Sequence, residues 1–375
     1  MHHVLEMFIM FNEMLANLLL FPYWVTLKVR HLIYNKGIKK VHTPSVPSIC
    51  LGNITVGGTG KTPHTEMIIR TLKQQEQWAG KNIAVLSRGY KRKSKGFQQV
   101  VEGGTAKLFG DEPLQIKQKF PEITVAVDKS RIEGCKFLTD PASLKTLKKG
   151  RKCLHKDFPK ADIIILDDAF QHRAIKAGVN IVLVDYNRPI FKDSLMPIGR
   201  LRDLPERIKA ADIVIVSKCP KFMEEEERKL WKKKLKLTEK QHLFFTYIAY
   251  DTPCAVFPEG DPHYIYSQKL ILFTGIANDT PLSRHLSDSY QIVKHFNFPD
   301  HHKFSRSDIN TIRNAADAYP TSVVMTTEKD CQRVRDSKTV PESLKKRLFY
   351  TPIKSEFLSD EDRVQFTSTL LSYLK

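Results

Sequence analysis

The chain has 375 residues, 41% apolar and 27% charged, long enough for two domains with a sizeable core and too apolar for a disordered chain. Sixty Lys and Arg against 41 Asp and Glu leave a net charge of +19, which calls for an acidic partner: nucleic acid, an anionic membrane or a phosphorylated substrate. The six cysteines (50, 135, 153, 219, 254 and 331) include no Cys-x-x-Cys, which argues against a disulfide framework or a zinc site and for a reducing compartment.

In residues 1–40, Met7, Phe8, Phe11, Leu15, Leu18, Leu19 and Trp24 recur at helical spacing, followed by Lys28, Arg30, Lys36, Lys39 and Lys40. The uncharged run from Met14 to Leu27 contains Pro22 and is short of the about 20 residues that span a bilayer. Its positive charges follow the apolar run, whereas a secretory signal carries them first. The pattern predicts an amphipathic helix in the membrane interface, with Tyr23 and Trp24 at headgroup level and the lysines on anionic lipid. A helix packed on the protein's own core would have the same periodicity.

Ser48-Ile-Cys-Leu-Gly-Asn-Ile-Thr-Val-Gly-Gly-Thr-Gly-Lys-Thr62 is an apolar strand running into a glycine-rich turn. Thr55, Val56, Gly57, Gly58, Thr59, Gly60, Lys61 and Thr62 form a candidate ATP-binding loop, although Thr55 stands where the strict pattern has its first glycine. The glycines aim backbone N–H groups at phosphate, Lys61 reaches the β- and γ-phosphates, and Thr62 can ligate Mg²⁺. A helix from Pro63 to about Gln74 presents its positive end to the same anion.

Short apolar runs follow at Ile83–Ser87, Ile123–Val127, Ile163–Leu166, Ile181–Asp185 and Ile213–Ser217. They predict an α/β fold with a mostly parallel sheet of the P-loop type, in which ligands sit beyond the strand C-termini. After the first run, Arg88 and Tyr90 are candidates for phosphate and sugar contacts, with a solvated basic loop as the plain alternative. Asp111 and Glu112 precede a helix at Leu114–Lys119, where a helix-capping aspartate is the simpler reading. Ile163–Asp168 has the form of a Walker B strand, delivering Asp167 or Asp168 to Mg²⁺. Gln171 and His172 follow at the same sheet edge, and Arg202 with Asp203 reads as a phosphate clamp or a surface ion pair.

Residues 219–241 read as a charged, solvent-facing helix that opens a second domain, giving an expected division into 1–40, 41–218 and 219–375. The second, smaller α/β lobe has strand candidates at Phe244–Tyr247, Ile271–Thr274 and Ser322–Thr326. Phe298–Phe304 carries Asp300, His301 and His302, which suggest an acid/base group; the further ligands that a metal site needs are absent nearby. Thr327-Glu328-Lys329-Asp330 is only superficially like the base-reading motif of GTPases.

These pieces together resemble the tetraacyldisaccharide 4′-kinases, the lipid A 4′-kinases of Gram-negative bacteria. The matching stretches are Gly52–Thr62, Ser87–Tyr90, Gly110–Pro113, Leu166–Arg173, Arg200–Pro205, Phe298–Phe304 and Thr327–Asp330, in the family's order over most of the chain. The family's own P-loop is of the Thr-Val-Gly-Gly-Thr-Gly-Lys-Thr type, which explains the missing first glycine. Ala169 replaces a glycine of the family's Asp-Asp-Gly-Phe-Gln-His-Arg run, and Asp203 replaces the glutamate of its Leu-Arg-Glu element. The lysine-rich stretch Ser143–Lys160 matches no family motif.

The resemblance implies transfer of the ATP γ-phosphate, with Mg²⁺, to the 4′-hydroxyl of a tetraacylated disaccharide 1-phosphate. It implies a P-loop lobe and a smaller lobe with the site between them, at the cytoplasmic face of the inner membrane, the enzyme being peripheral. The family's aspartate–histidine pair maps onto Asp111 and His301; Arg88, Tyr90, Gln171, His172 and Arg202 are candidate substrate contacts. An acidic glycolipid and an anionic membrane surface then answer the +19 charge, and no nucleic-acid signature is present. The rival reading is a membrane-associated P-loop ATPase of the partitioning type, which shares the loop and the Walker B strand but leaves the Asp-His-His segment unexplained.

Overall fold

The computed structural model describes residues 20–146, 153–337 and 339–375. The apolar positions from Met7 to Leu19, and part of the lysine-rich stretch, lie outside the described residues. The strands are β1 Ser48–Asn53, β2 Ile83–Ser87, β3 Gln98–Val100, β4 Thr124–Val127, β5 Ile163–Asp167, β6 Val179–Asp185, β7 Ile213–Ser217, β8 His242–Tyr250, β9 Cys254–Ala255, β10 Lys269–Thr274, β11 Gln291–Asn297, β12 Val323–Thr327, β13 Leu348–Thr351 and β14 Ile353–Phe357. Residues 20–35 are helical and are termed α1. The other helices are α2 Lys61–Lys73, α3 Ala106–Phe109, α4 Asp111–Lys119, α5 Arg131–Thr139, α6 Glu225–Leu235, α7 Thr280–Ser287, α8 Arg306–Ala318, α9 Glu328–Arg335, α10 Glu342–Lys345 and α11 Asp360–Ser372.

The larger sheet runs β14-β8-β7-β6-β1-β5-β2-β4-β3. Its interior pairs are parallel, and only the two edge strands, β3 and β14, are antiparallel to their neighbours. Both faces are covered, so inner strands such as Ile163-Ile-Ile-Leu are apolar throughout. Ile164 and Leu166 enter one core, Ile163 and Ile165 the other, as side chains alternate across the sheet. β1 lies between β5 and β6, with Leu51 opposite Asp167, so the P-loop and the Walker B carboxylates leave neighbouring strands at one edge.

The smaller sheet runs β11-β10-β12-β13-β9 and has a core on each face. It is inserted between β8 and β14: the chain leaves the larger sheet after Tyr250 and returns at Ile353.

The expected boundary at 219 therefore fails, because α6, β8, β14 and α11 belong with the larger sheet. β8 pairs in parallel with β7, and Phe366 and Leu370 of α11 enter the same core as Ile213. The helix α6 is not purely solvent-facing either. Trp231 and Leu235 are buried on its inner side, and the Trp231 ring meets Tyr186 at 5.5 Å and Phe191 at 5.3 Å. Two apolar residues in a run of lysines and glutamates are a narrow stripe, easily lost in a charge count.

α1 has two apolar sides. Leu27 is buried in the core, and Leu20 and Tyr23 pack against it, while Phe21, Trp24, Val29 and Leu32 face outward. The Tyr23 hydroxyl donates to the Arg202 carbonyl at 2.9 Å, so Tyr23 points into the protein and not toward a headgroup layer. No helix among the described residues is long and apolar enough to cross a membrane.

Trp231→Ala is expected to destabilise the larger lobe by about 3–5 kcal/mol, measured by denaturant unfolding. A solvent-facing helix of a separate domain would lose no more than about 0.5 kcal/mol.

Candidate active site

Gly60, at φ 84°, turns the chain from the loop into α2, which begins at Lys61, two residues before the expected start. The first N–H groups of α2 have no intrahelical partner and face the loop's concavity. Neighbouring strand ends brace that loop. Asn53 Nδ2 donates to Thr59 Oγ1 at 2.7 Å, Ser217 Oγ donates to the Thr59 carbonyl at 2.9 Å, and the Val56 N–H donates to the Arg200 carbonyl at 2.8 Å. Lys218 donates to the Gly58 carbonyl and pairs with Asp185. His64 is buried beneath, contacting Gly60 O at 2.7 Å and Thr246 Oγ1 at 2.9 Å; burial pushes its pKa down to about 4, so it is neutral. Thr62 is buried beside Lys61.

Asp167 ends β5, and Asp168 turns away in the left-handed region at φ 48°. The two carboxylates therefore meet different surroundings. Asp168 is partly exposed, 3.7 Å from Lys61 Nζ and gripped by both terminal nitrogens of Arg202. Burial opposes its charge, but Lys61 and Arg202 prevail and hold its pKa at about 2. Asp167 is buried, its side chain bonded among the described residues by Thr65 Oγ1 at 3.4 Å, and burial together with Glu112 and Asp168 pushes its pKa up to about 6.

A buried carboxylate with no ion pair among the described residues, on the strand next to the one that runs into the P-loop, suits a magnesium ion. Mg²⁺ characteristically takes one or two carboxylates and leaves its other positions to water and phosphate. No group of three His, Cys, Asp or Glu among the described residues could hold a metal by itself.

The second half of the site joins the lobes. Asp111 opens α4 but caps nothing, since the N-cap is Gly110 and the Asp111 side chain points to α9. Its Oδ2 accepts from Arg333 Nη2 at 2.7 Å and Arg333 Nε at 2.9 Å, and lies 3.6 Å from His301 Nδ1. Burial works against the Asp111 charge, but His301 and Arg333 outweigh it and hold the carboxyl below its usual range. His301 sits in the loop after β11 at φ 62°, with the Tyr90 ring 5.8 Å away. Its neighbour His302 is occupied elsewhere. It bonds Asp308 at 2.9 Å and stacks on Phe298 at 4.6 Å, bracing the start of α8.

Glu112 pairs with Lys329 at 2.8 Å, and its charge acts on Lys61, Asp167 and Asp168. The Asp111 turn thus adjoins the phosphate loop. Lys119 bridges Glu66 of α2 (2.8 Å) and Glu328 of α9 (2.6 Å), and Arg335 bonds Gln118 at 2.7 Å.

Among the expected substrate contacts, Arg88 and Tyr90 are exposed. Gln171 instead bonds the Asn53 carbonyl at 2.6 Å, and burial followed by Arg131 lowers the pKa of His172. Arg202 is committed to Asp168 and Asn53 rather than left open as a clamp. Asp203 is no surface ion pair: it is buried and bonds His31 of α1 at 2.7 Å. Glu112 lies in the matching stretch Gly110–Pro113 and Lys329 in Thr327–Asp330, but the sequence assigns neither a role, and Arg333 lies outside every matching stretch. The sequence signal for Arg333 is its spacing from Lys329, four residues on along the same helix face.

The family model described as tetraacyldisaccharide-1-P 4′-kinase (LpxK) matches residues 13–375. The chain is 39% identical over 354 residues to the tetraacyldisaccharide 4′-kinase of Phocaeicola vulgatus, covering 92% of this chain and 91% of that protein. It is 38% identical over 362 residues to the enzyme of the same name from Flavobacterium johnsoniae, covering 95% and 97%. The crystal structure of Aquifex aeolicus LpxK in complex with ATP superposes with a TM-score of 0.68 at 23% identity, covering 96% of this chain and all of that one. At that identity the superposition speaks for the fold.

Gly110, at φ 92° and ψ 153°, occupies a backbone region open essentially to glycine, and a Cβ there would lie 3.2 Å from the Tyr90 carbonyl. Gly110→Ala is expected to cost about 1–3 kcal/mol in a denaturant titration. An unchanged midpoint would show that the turn before Asp111 carries no such constraint.

Proposed function

Because the chain belongs to the tetraacyldisaccharide 4′-kinase family, and so is an ATP-dependent kinase that phosphorylates the 4′-hydroxyl of its acceptor in lipid A biosynthesis, we propose that Asp111 is the base of that transfer and that His301 sets its geometry. One observation carries this reading. A carboxylate of the P-loop lobe and an imidazole of the inserted lobe stand 3.6 Å apart, one residue from a carboxylate whose charge acts on Lys61.

The acceptor is a tetraacylated glucosamine disaccharide 1-phosphate, and the γ-phosphoryl passes from ATP to its 4′-oxygen, the bond to the β-phosphate breaking and ADP leaving, while the hydroxyl proton goes to Asp111. A sugar hydroxyl is a weak nucleophile, and phosphoryl transfer through a loose transition state depends mainly on positioning and charge stabilisation. A base held below its usual pKa range suffices there, since it is ionised at neutral pH and takes the proton late. Residues 55–62 wrap the phosphates, Lys61 reaches the β- and γ-oxygens, and Asp168 with Arg202 keeps Lys61 in place. Thr62 with Asp167 or Asp168 would hold Mg²⁺, which when bound neutralises charge on the phosphates. Arg88, Tyr90 and His172 border the acceptor side; Gln171 and Arg202 support the loop from behind. The partitioning-ATPase alternative is not favoured by the family match.

The outward stripe of α1, with Phe21 60% and Trp24 41% exposed, supports a peripheral seat on an anionic membrane at the cytoplasmic face, where acyl chains stay in lipid. Lys28 lies over the Trp24 ring at 5.3 Å and pairs with Glu206 at 2.8 Å, so its charge is already partnered within the protein.

Asp111→Ala is expected to lower kcat by about 10²–10⁴-fold with the KM for ATP within about threefold, in transfer of label from γ-labelled ATP to a disaccharide 1-phosphate. Near-normal kcat would remove Asp111 from the role. Replacing Phe21 and Trp24 by serine removes roughly 2–4 kcal/mol of apolar insertion, so partition into phosphatidylglycerol-containing vesicles should fall at least about tenfold. Unchanged partition would return α1 to a purely packing role.

A further inference from the structure

Arg333 spends every donor it has at the junction of the lobes. Its side chain is 7% exposed, and each of the five N–H groups of the guanidinium meets an acceptor. Nε and one hydrogen of Nη2 go to Asp111 Oδ2, at 2.9 and 2.7 Å. The other Nη2 hydrogen goes to His301 Nδ1 at 3.1 Å. Nη1 donates to Asp330 Oδ1 at 2.7 Å and to the Gly275 carbonyl at 3.2 Å. Asp330 is itself fixed, its Oδ2 accepting from the Gly275 N–H at 2.8 Å and from Thr327 Oγ1 at 2.7 Å.

We propose that Arg333 is a positioning residue of the kinase reaction, its guanidinium holding Asp111 and His301 in one register across the cleft. The inference rests on the reading of Asp111 as the base. Two consequences follow from the donor count. A guanidinium only donates, so in the 3.1 Å contact with Nη2 the His301 Nδ1 is the acceptor. Asp111 and His301 are thus joined through the arginine as well as by their own 3.6 Å approach. Secondly, Arg333 takes Oδ2 alone. Among the described residues nothing donates to Oδ1, which is the oxygen left to receive the sugar hydroxyl's proton.

A lysine in this place would bring a charge without a planar fork and could not serve carboxylate, imidazole and Asp330 together. The charged and titratable groups around Asp111 are Glu112 on its own helix, Lys329, Asp330, Arg333 and Asp336 on or just after α9, Asp300 and His301 in the loop after β11, and Tyr90 after β2. Arg333 is the cation in direct contact with the Asp111 carboxylate. It favours the ionised form, and turnover that needs this form is lost as pH falls through the Asp111 pKa. Removing the guanidinium raises that pKa and moves the loss to higher pH.

The test uses the full chain with γ-labelled ATP and a tetraacylated disaccharide 1-phosphate, comparing Arg333→Met, Arg333→Lys and Asp111→Asn. Arg333→Met is expected to lower kcat at least about tenfold with the KM for ATP within about threefold. Its acidic limb of log kcat against pH should move up by about one pH unit or more. Arg333→Lys keeps the charge, so the limb should stay near that of the parent while kcat still falls at least about fivefold. A lowered thermal midpoint with kcat and the acidic limb unchanged would make Arg333 merely structural and overturn the proposal. Should Arg333→Met not fold, Arg333→Lys decides alone: kcat within about twofold of the parent overturns it. Asp111→Asn separates the two readings. If it turns over normally, the base assignment fails; if it is inactive while both Arg333 variants are normal, only the present inference fails.

Discussion

Two successive carboxylates on the first turn of α4 are each met by a cation from one face of α9: Asp111 by Arg333, Glu112 by Lys329. Lys329 and Arg333 are four residues apart, one helical turn, and so point the same way. This double pairing ties the inserted lobe to the P-loop lobe beside Asp111 and His301. Asp111 faces the imidazole brought by the second lobe, while Glu112 faces back toward Lys61 and the Walker B carboxylates. Partly exposed ion pairs are worth about 1 kcal/mol or less apiece, so their force lies in register more than in stability. The buried Glu66–Lys119–Glu328 chain extends the same seam toward α2, continuing the link from cleft to phosphate loop.

On the P-loop side, charge is sorted by burial. Asp167 and Asp168 are neighbours in sequence, yet one has a pKa near 6 and the other near 2. The left-handed turn at Asp168 separates them. It sends Asp168 to Lys61 and Arg202 and leaves Asp167 among other carboxylates, short of positive charge. A buried carboxylate whose charge is disfavoured beside the P-loop is what a magnesium ion would relieve. Arg202 also reaches Asn53, which in turn bonds Thr59, so one guanidinium connects the Walker B turn to the phosphate loop.

α1 answers two demands at once. Its inner side is held by Leu27 in the core, by Tyr23 on the Arg202 backbone, by His31 on Asp203 and by Arg30 on the Gln171 carbonyl. Its outer side carries Phe21, Trp24, Val29 and Leu32 into solvent. Membrane and core stand as alternatives in the sequence pattern only while a single hydrophobic period is assumed. A helix with apolar residues on two sides can pack on the core with one and leave the other exposed.

Much of the fold was legible because buried parallel strands are unbroken apolar runs between glycine- and aspartate-rich turns, and β2 and β7 begin and end where those runs do. The P-loop and the Walker B strand were legible because phosphate binding requires those residue types at fixed local spacing, whereas Asp111 and His301, 190 residues apart, were paired only through the family resemblance. Edge strands were not: β3 reads Gln-Gln-Val, and β11 alternates with exposed polar residues, since an edge needs burial on one side only. The true extent of the inserted lobe was hidden as well. β8 and β14 look alike in composition to the strands between them, and only pairing across a hundred residues assigns them to the larger sheet. Arg333 is the sharpest case. In sequence it is one arginine among 60 basic residues, and its meaning arises from three acceptors contributed by three distant segments. Local order is written in the chain because it follows from neighbouring residues. Which charge meets which across a cleft depends on how two sheets are set against each other, and that is decided by tertiary packing alone.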